Sequence, residues 1–518
     1  MLIQLMIDLF KWKKYNSKEF SKRSKVMKIK YLIKDLKCKV IQYGKHEDVT
    51  SISYDSRKVE SRALFVCIKG DKSNGHDYIE DVISKGAVAL IVEDEIRIDN
   101  DNVTVIKVEN ARKALSYISS IYYNNPSNSL DVIGITGTNG KTSISFLISE
   151  ILQANKEKVG VIGTIGMQVN NKPLAIEKTT PTTPDSLELQ MVLREMVNVG
   201  TTKLVMEVTS IGLDQHRVDD CKIDIGVFTN LTEDHLDFHG TMENYKESKK
   251  QLFKLCKVGI INTDDLAGCE FVSTMLKRKE KDASVSVITY AIDKNADLRA
   301  ENVVLTPMGS RFDITYNKKT YSVEINLPGK FNIYNALAAI GATLQLGVSI
   351  DVIINSLRVI KGAKGRFESV VSNRGYTAVV DYAHTPDALE NVLITAKEFK
   401  PNRLITVFGC GGDRDKTKRP MMGKISGELS DLTIVTSDNP RTENPAQILK
   451  DVEYGIKQTN GKYEIIEDRK RAIVKALGLA EKNDIVIVAG KGHEIYQIIG
   501  SETIHFDDME IVQEYLNL

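Results

Sequence analysis

One stretch constrains this chain more than any other: Asp131-Val-Ile-Gly-Ile-Thr-Gly-Thr-Asn-Gly-Lys-Thr142. A short apolar run ends in a glycine-rich turn, then come Lys141 and Thr142, then the helical pattern Ile144 to Leu152. That order is the grammar of a phosphate cradle. Small residues let backbone N–H groups close on a polyphosphate, and the helix that follows points its positive N-terminus at it. Lys141 is placed to neutralise β/γ-phosphates, and the Thr142 hydroxyl to sit on Mg²⁺. The strict pattern G-x-x-x-x-G-K-[ST] is not met, because Ile135 stands where its first glycine belongs. A generic glycine-rich loop is the alternative, but strand, turn, Lys-Thr and helix together point to ATP at Gly137, Thr138, Asn139, Gly140, Lys141 and Thr142.

At 518 residues the chain is too long for one core, and about three domains are expected. Its 70 basic and 69 acidic residues nearly cancel, which gives no argument for nucleic acid or an anionic membrane as main partner. Six scattered cysteines show no metal or disulfide spacing and suit a reducing cytoplasm. No apolar run reaches the ~20 residues of a membrane span. Residues 1–26 read as an extension foreign to the fold, either a disordered arm or the product of an upstream start codon. A membrane-surface helix there is disfavoured by its short apolar part, and Met27 opens a natural amphipathic start.

The expected fold is α/β in three domains. A small N-terminal α/β unit, residues 27–128, has strand-like pieces at Ala63–Ile68, Ala87–Val92 and Val103–Val108. It closes at the polar connector Asn124-Asn-Pro-Ser-Asn128. A central unit, 129–360, alternates helical stretches with apolar strands at Asp131–Thr136, Val159–Gly163, Lys203–Val208, Ile225–Thr229 and Val258–Asn262. That pattern implies a mostly parallel, covered sheet. Residues 297–326, with their Asn317-Lys-Lys turn, read as a β-hairpin insertion. A C-terminal Rossmann-like unit, 361–518, has strands at Thr377–Asp381, Leu404–Phe408, Leu432–Thr436, Tyr463–Ile466 and Ile485–Val488. Ligands of such sheets sit at the carboxyl ends of strands, where this chain puts its glycine and polar clusters.

Glu207 closes a buried strand, where a charge is costly unless paired or metal-bound. It is read as a Mg²⁺ or near-Mg²⁺ group, with a loop-capping carboxylate as the alternative. Phe228 to His239 adds two histidines and three carboxylates at a strand end, and His235 is the best metal candidate among them. Three further loops follow strands: Gly409 to Lys416, Ser437 to Thr442 and Ala489 to Glu494. They bring Arg414, Asp438, Arg441 and Glu494 to neighbouring strand ends. Guanidinium forks hold carboxylates and carboxylates hold an ammonium, so the set suits a zwitterion. A structural ion-pair network is the alternative, and the glycines beside each charge are read as room for a ligand. Gly490-Lys-Gly alone also reads as a second phosphate turn.

These motifs together resemble the Mur ligases of peptidoglycan synthesis, over nearly everything from Met27 onward. Those carrying the likeness, in family order, include Tyr54-Asp-Ser-Arg-Lys-Val59, Gly137-Thr-Asn-Gly-Lys-Thr142, Thr182-Thr-Pro-Asp185, Met206-Glu-Val-Thr-Ser210, Gln215-His-Arg-Val218 and Asn230-Leu-Thr-Glu-Asp-His-Leu-Asp237. Gly365-Arg-Phe-Glu368, Asp381-Tyr-Ala-His-Thr-Pro-Asp387, Asp438-Asn-Pro-Arg441 and Gly490-Lys-Gly-His-Glu494 complete the series. Any one is weak; their joint order is specific.

The resemblance implies an ATP-dependent ligase that joins an amino acid to a UDP-N-acetylmuramoyl-L-alanyl-D-glutamate substrate through an acyl phosphate. It places Ser56, Thr182, Thr183, Thr209, Gln215 and Arg217 on the UDP-muramoyl dipeptide. Asn332, Asn335, Arg366 and Asp381 join the phosphate loop around ATP, and Glu207 and His235 hold Mg²⁺. Arg414, Asp438, Asn439, Pro440, Arg441, Gly490 and Glu494 bind the incoming amino acid. Lys249, otherwise a solvated helix lysine, falls where the family carries a carbamylated lysine that ligates Mg²⁺. Lys141, Lys249, His235 and Arg366 are then the catalytic set. Arg441 supplies the fork that the second carboxylate of meso-diaminopimelate requires, with L-lysine as the alternative acceptor. A cytoplasmic monomer with no nucleic-acid partner and no membrane insertion is expected.

Three positions depart from the family: Thr209 replaces serine, Ile211 stands where histidine is usual, and Ala363-Lys364 replaces Val-Pro. Ile211 raises the case of a divergent paralogue. Two rivals were weighed against the ligase. One is a relative that adds glutamate to folate, and the other a phosphate-loop switch with no amino-acid dependence.

Overall fold

The structure, a computed structural model, describes residues 26–70, 73–176, 179–306, 309–361 and 364–517. The N-terminal extension, Val26 apart, and Ala363 therefore lie outside the described residues. Among the described residues the chain forms three α/β layers, each around its own sheet.

The central sheet has nine strands, and seven of them run parallel in the order Val159–Gly163, Lys203–Glu207, Asp131–Thr136, Ile225–Phe228, Val258–Asn262, Ser286–Ala291 and Leu298–Arg299. Gly166–Val169 and Lys172–Pro173 extend one edge in antiparallel fashion. Inner strands are apolar along their whole length because helices cover both faces. Ile133, Ile135, Val205, Val227 and Ile260 pack on one side with the helices Lys141–Ala154, Lys330–Gln345 and Ile350–Val359. Val132, Leu204, Met206, Phe228 and Ile261 pack on the other with Ser186–Asn198 and Leu266–Lys279. Alternate side chains of one strand thus serve two cores, each fully buried Ile or Leu contributing about 1.5–3 kcal/mol.

The N-terminal sheet runs Cys38–Gln42, Thr104–Val108, Ala89–Val92, Ala63–Val66, Ser51–Ser53, parallel except for its first strand. Asn124 and Asn125, both left-handed, turn the chain out of this layer. The C-terminal sheet runs Glu368–Val371, Thr377–Asp381, Ile485–Ala489, Leu404–Phe408, Leu432–Val435, Tyr463–Ile465, parallel after its first strand. The expected strands of all three units are present with ends shifted by one or two residues.

The 297–326 insertion needs correction. It is a three-stranded antiparallel sheet of Glu301–Thr306, Gly309–Tyr316 and Lys319–Ile325, while Leu298–Arg299 joins the central sheet. The hairpin itself is where the turn residues put it. Asn317 (φ 50) and Lys318 (φ 63) are both left-handed, as the twist of a two-residue hairpin demands. Sequence reading missed Ser286–Ala291 and the hairpin Tyr496–Ile499/Glu502–His505.

Contacts tie the layers together near the phosphate loop. Tyr54 Oη donates to Asp185 between the first and second layers. Asp387 accepts from Asn139 Nδ2 and from Thr232 Oγ1 (3.0 Å) between the second and third, and Lys418 pairs with Asp234 at 3.1 Å.

Candidate active site

The phosphate loop leaves the strand Asp131–Thr136 and enters the helix at Lys141. Gly137 has φ 147, and a Cβ there would stand 1.8 Å from Thr229 Oγ1, so only glycine lets the loop lie against the next strand end. Asn230 fixes it from that side: its carbonyl accepts the Thr138 N–H and its Oδ1 the Asn139 N–H, both at 2.9 Å. Asn335, in the helix below, brings Oδ1 up against Gly140, and its Nδ2 donates to Asn332 Oδ1 at 3.1 Å. The two asparagines that the family likeness singled out therefore underpin the loop.

Lys141 Nζ donates to the carbonyls of Gly137 (2.9 Å) and Thr138 (2.8 Å), and burial holds its pKa below the usual lysine range. Glu207, buried at its strand end, accepts from Thr142 Oγ1 through both oxygens at 3.1 Å. It also accepts the Thr164 N–H (2.9 Å) and Thr164 Oγ1 (3.1 Å). The carboxylate thus touches the phosphate-loop hydroxyl directly and, among the described residues, has no cationic partner within ion-pair distance. Thr164, one residue past the Val159–Gly163 strand, was missed in the sequence.

Lys249 is no solvated helix lysine. It is buried, its Nζ donates to the Gly137 carbonyl at 2.9 Å, and it lies 4.2 Å from the Tyr245 ring centroid. Burial, reinforced by Lys141, pushes its pKa well below the usual lysine range, with Asp234 opposing. His235 adopts a left-handed backbone (φ 53), 3.5 Å from Asp234, and burial lowers its pKa. Arg366 stacks on Tyr382, 4.6 Å from guanidinium carbon to ring centroid, and its buried Nε finds no partner among the described residues. Asp381 accepts the N–H groups of Phe367 and Ala383, each at 2.7 Å, and burial raises its pKa. It shapes the turn that carries Arg366.

In the third layer the loops Gly409–Lys416, Asp438–Arg441 and Gly490–Glu494 meet at adjacent strand ends. Their glycines serve close packing between loops, and Gly409, Gly411 and Gly490 also line the cleft described below. A Cβ at Gly412 would lie 1.9 Å from the Pro440 carbonyl, and one at Gly490 2.7 Å from Asp438 Oδ2. The Gly490-Lys-Gly turn is not a second phosphate cradle, since Lys491 is fully buried against Asp438, Asn439 and Glu494. Ion pairs do run through this cluster: Lys491 stands near Asp438 and Glu494, Arg419 pairs with Glu443 (2.8 Å) and Asp451 (2.9 Å), and Arg469 pairs with Asp508 (2.7 Å). Arg441 donates to the Gly412 carbonyl at 2.7 Å, and Arg414 is exposed.

A single cleft of about 690 Å³ is lined by the phosphate loop, Thr182, Glu207, Thr209, His235, Arg366, Arg414, Asp438, Asn439, Arg441, Gly490 and Glu494. A second cleft, about 290 Å³, lies between the first two layers and is lined by Tyr54, Arg112, Asp185, Gln215 and Arg217 among others. Arg217 is anchored to Thr183 O (2.8 Å), Gln215 Oε1 (2.7 Å) and Asp185 (3.0 Å). Thr183 Oγ1 lies 3.0 Å from Thr209 Oγ1, and Thr209 also caps the short helix Ser210–Asp214. Ser56 lines neither cleft; its carbonyl accepts from Lys85. Ile211 is half-buried, and an imidazole does stand beside Ser210: His239 Nε2, 2.9 Å from the hydroxyl.

Three stacked α/β layers around one phosphate-loop cleft define an ATP-dependent ligase that forms peptide bonds, and the chain belongs to the Mur ligase family. It matches the Mur ligase middle domain over residues 135–343, the Mur ligase glutamate ligase domain over 365–492, and the Mur ligase family catalytic domain over 48–123. Among its relatives, UDP-N-acetylmuramoyl-L-alanyl-D-glutamate–2,6-diaminopimelate ligase 1 of Clostridium acetobutylicum is 47% identical, across 95% of this chain and 99% of its own. Ligase 2 of the same name and organism is 44% identical, across 95% and 100%. A solved structure of a UDP-N-acetylmuramoyl-L-alanyl-D-glutamate–2,6-diaminopimelate ligase covers 91% of this chain and 95% of its own, at 34% identity and a TM-score of 0.67.

Proposed function

We propose that this chain joins meso-diaminopimelate to UDP-N-acetylmuramoyl-L-alanyl-D-glutamate with ATP, as a cytoplasmic monomer supplying peptidoglycan precursor. One observation carries the reading: the phosphate loop and the loops bearing Arg414, Asp438, Arg441 and Glu494 line the same cleft. An amine held by the third layer can therefore meet an acyl group activated at the second. The names of the relatives support the same substrates. Among the described residues no helix is long and apolar enough to cross a membrane.

In this mechanism the D-glutamate γ-carboxylate attacks the ATP γ-phosphorus, giving an acyl phosphate and ADP. The amino nitrogen then attacks the acyl carbon, phosphate leaves, and the amine gives up a proton. The protein's work is positioning and charge stabilisation. Lys141 and Arg366 face the transferred phosphoryl group, and the unpartnered Arg366 Nε is a donor awaiting an anion. Thr182, Thr183, Thr209, Gln215 and Arg217 hold the UDP-linked substrate, and Ser56, which lines neither cleft, is left out of that set. Closing the third layer on the second excludes water from the acyl phosphate.

The residues suit Mg²⁺. Thr142 and Glu207 already touch, and among the described residues no three His, Cys, Asp or Glu side chains cluster to hold a metal by themselves. An anionic donor from Lys249 fills that need: its neutral amine adds CO₂ to give a carbamate, releasing one proton. Thr142, Glu207, His235 and carbamylated Lys249 would then hold the ion, which neutralises phosphate charge when bound. The test is ADP formation with UDP-N-acetylmuramoyl-L-alanyl-D-glutamate and either diaminopimelate or lysine. Diaminopimelate-dependent tripeptide is expected, and its absence with all reactants and magnesium present refutes the reading.

A further inference from the structure

Lys491 is the one fully buried lysine in the loop cluster that faces the cleft, and the assignments above give it no part. Its Nζ donates to Asn439 Oδ1 at 2.9 Å and to the Tyr496 carbonyl at 2.8 Å. The same nitrogen stands 3.5 Å from Asp438 Oδ1 and 3.6 Å from Glu494 Oε2. Those partners come from the loop after Leu432–Val435, from the lysine's own loop and from the hairpin beyond it. One ammonium therefore ties together three segments that the chain supplies separately.

The distances matter. Two short hydrogen bonds satisfy two of the three N–H donors, while both carboxylates stay beyond ordinary hydrogen-bond length. They feel the charge yet keep lone pairs for a ligand ammonium. Lys491 also sets the Asn439 amide. Asn439 Oδ1 accepts from Lys491 and from the Ile498 N–H (3.0 Å), which leaves Nδ2 to donate to Glu494 Oε2 at 2.9 Å. A flipped amide would put NH₂ against an ammonium and an N–H.

We propose that Lys491 is a positioning residue for amino-acid recognition: its buried ammonium fixes the Asn439 amide and holds Asp438 and Glu494 together as paired carboxylates facing the cleft. The proposal rests on the assignment of this loop cluster to the amino acid. A role in folding alone would not ask that both carboxylates line the cleft, as Asp438 and Glu494 do; the two partners of buried Arg419, Glu443 and Asp451, do not.

The charge has a consequence for pH. Burial, and then Asp438, raise the Glu494 carboxyl above the usual range, while Lys491 pulls it down. Arg469, Tyr382 and Tyr496 are the other titratable groups that act on it. Without Lys491 the carboxyl rises further, and protonation removes the ammonium contact as the pH falls through that raised value.

The experiment compares wild type with Lys491→Met and Lys491→Gln, after thermal unfolding and ATP binding have been measured for each. The Michaelis constants for amino acid, ATP and UDP-linked substrate are taken from pH 7 to 9. Lys491→Met should raise the amino-acid KM at least about tenfold, most at the lowest pH of the series, with the other two constants unchanged within about twofold. Lys491→Gln, which keeps a hydrogen-bond donor, should fall between. An unchanged amino-acid KM, an equal rise in all three constants, or a pH profile parallel to wild type overturns the proposal. So does failure of both variants to fold and bind ATP, which would make Lys491 a folding residue. The amino acid used is whichever of diaminopimelate and lysine the wild type turns over. A preference for lysine corrects the acceptor assignment and leaves the comparison intact. If neither supports ADP formation, the amino-acid assignment fails and the proposal with it.

Discussion

Replacing Arg441 by alanine separates acceptor recognition from everything else the cleft does. Nη1 of Arg441 is engaged with the Gly412 carbonyl at 2.7 Å, and among the described residues its guanidinium makes no other hydrogen bond, so the rest of the fork is free for a carboxylate. Hydrogen bonds to charged groups contribute about 1.5–3 kcal/mol, and a tenfold change in affinity corresponds to about 1.4 kcal/mol. The expected loss is therefore about 10- to 150-fold in the KM for diaminopimelate. The loop itself should survive. Its main-chain bonds, Arg441 N to Ile498 O (3.2 Å) and Gly500 N to Arg441 O (2.8 Å), do not involve the side chain. The left-handed backbone at this position (φ 51) strains alanine as much as arginine, so that cost cancels. The assay is ADP release while diaminopimelate, lysine and ATP are each varied. Only the diaminopimelate constant should move, because lysine lacks the second carboxylate. An equal rise in the ATP constant, or an equal loss with lysine, refutes this account of Arg441.

Glu207→Gln should fold nearly as well as wild type, since an amide can still accept from Thr164 N and turn its NH₂ toward the two hydroxyls. Its turnover should fall at least about tenfold with a shifted magnesium dependence, and unchanged turnover would remove Glu207 from the metal site. If Lys249 works as a carbamate, CO₂-depleted buffer should lower activity and bicarbonate restore it, whereas Lys249→Met should be inactive and unresponsive; wild-type indifference to bicarbonate would count against the carbamate. Arg419 holds the Glu443 carboxyl at about 2 against an ordinary 4.5. A depressed carboxyl stabilises the fold fully above the ordinary value and loses that contribution as pH falls toward 2. Glu443→Gln should accordingly flatten the acid limb of a stability–pH curve between those values, and an unchanged limb would show that the pair contributes little.

Much of this protein was legible in the order of its residues. Asp131 to Thr142 gave the strand with its bounds and the loop and helix in order, the helix running from Lys141 to Ala154 and so beyond the expected Ile144 to Leu152, because a buried parallel strand must be apolar throughout and a phosphate loop needs glycine at Gly137. Asn317-Lys-Lys placed a hairpin for a reason equally local, the left-handed turn. Ser286–Ala291 was missed because its partner strand, Val258–Asn262, lies across an intervening helix, whereas the hairpin from Tyr496 is local and its signal was the left-handed Gly500 turn. The family motifs named most residues of the cleft, yet motif order carries no distances.

What only the tertiary structure decided is the state and partnership of charged side chains. Lys249 looks in sequence like an ordinary solvated helix lysine, and Lys491 like part of a phosphate turn. Folding buries one beside Gly137 and Tyr245, and the other among Asp438, Asn439 and Glu494. Glycines at the third-layer strand ends let loops touch as well as line the cleft, and Asp387 reaches across layers to Asn139 and Thr232. Local sequence sets backbone geometry through sterics and apolar patterning. The environment of a charge is set by segments separated in the chain, by 52 residues for Lys491 and Asn439 and by 112 for Lys249 and Gly137, and desolvation acts only once they meet.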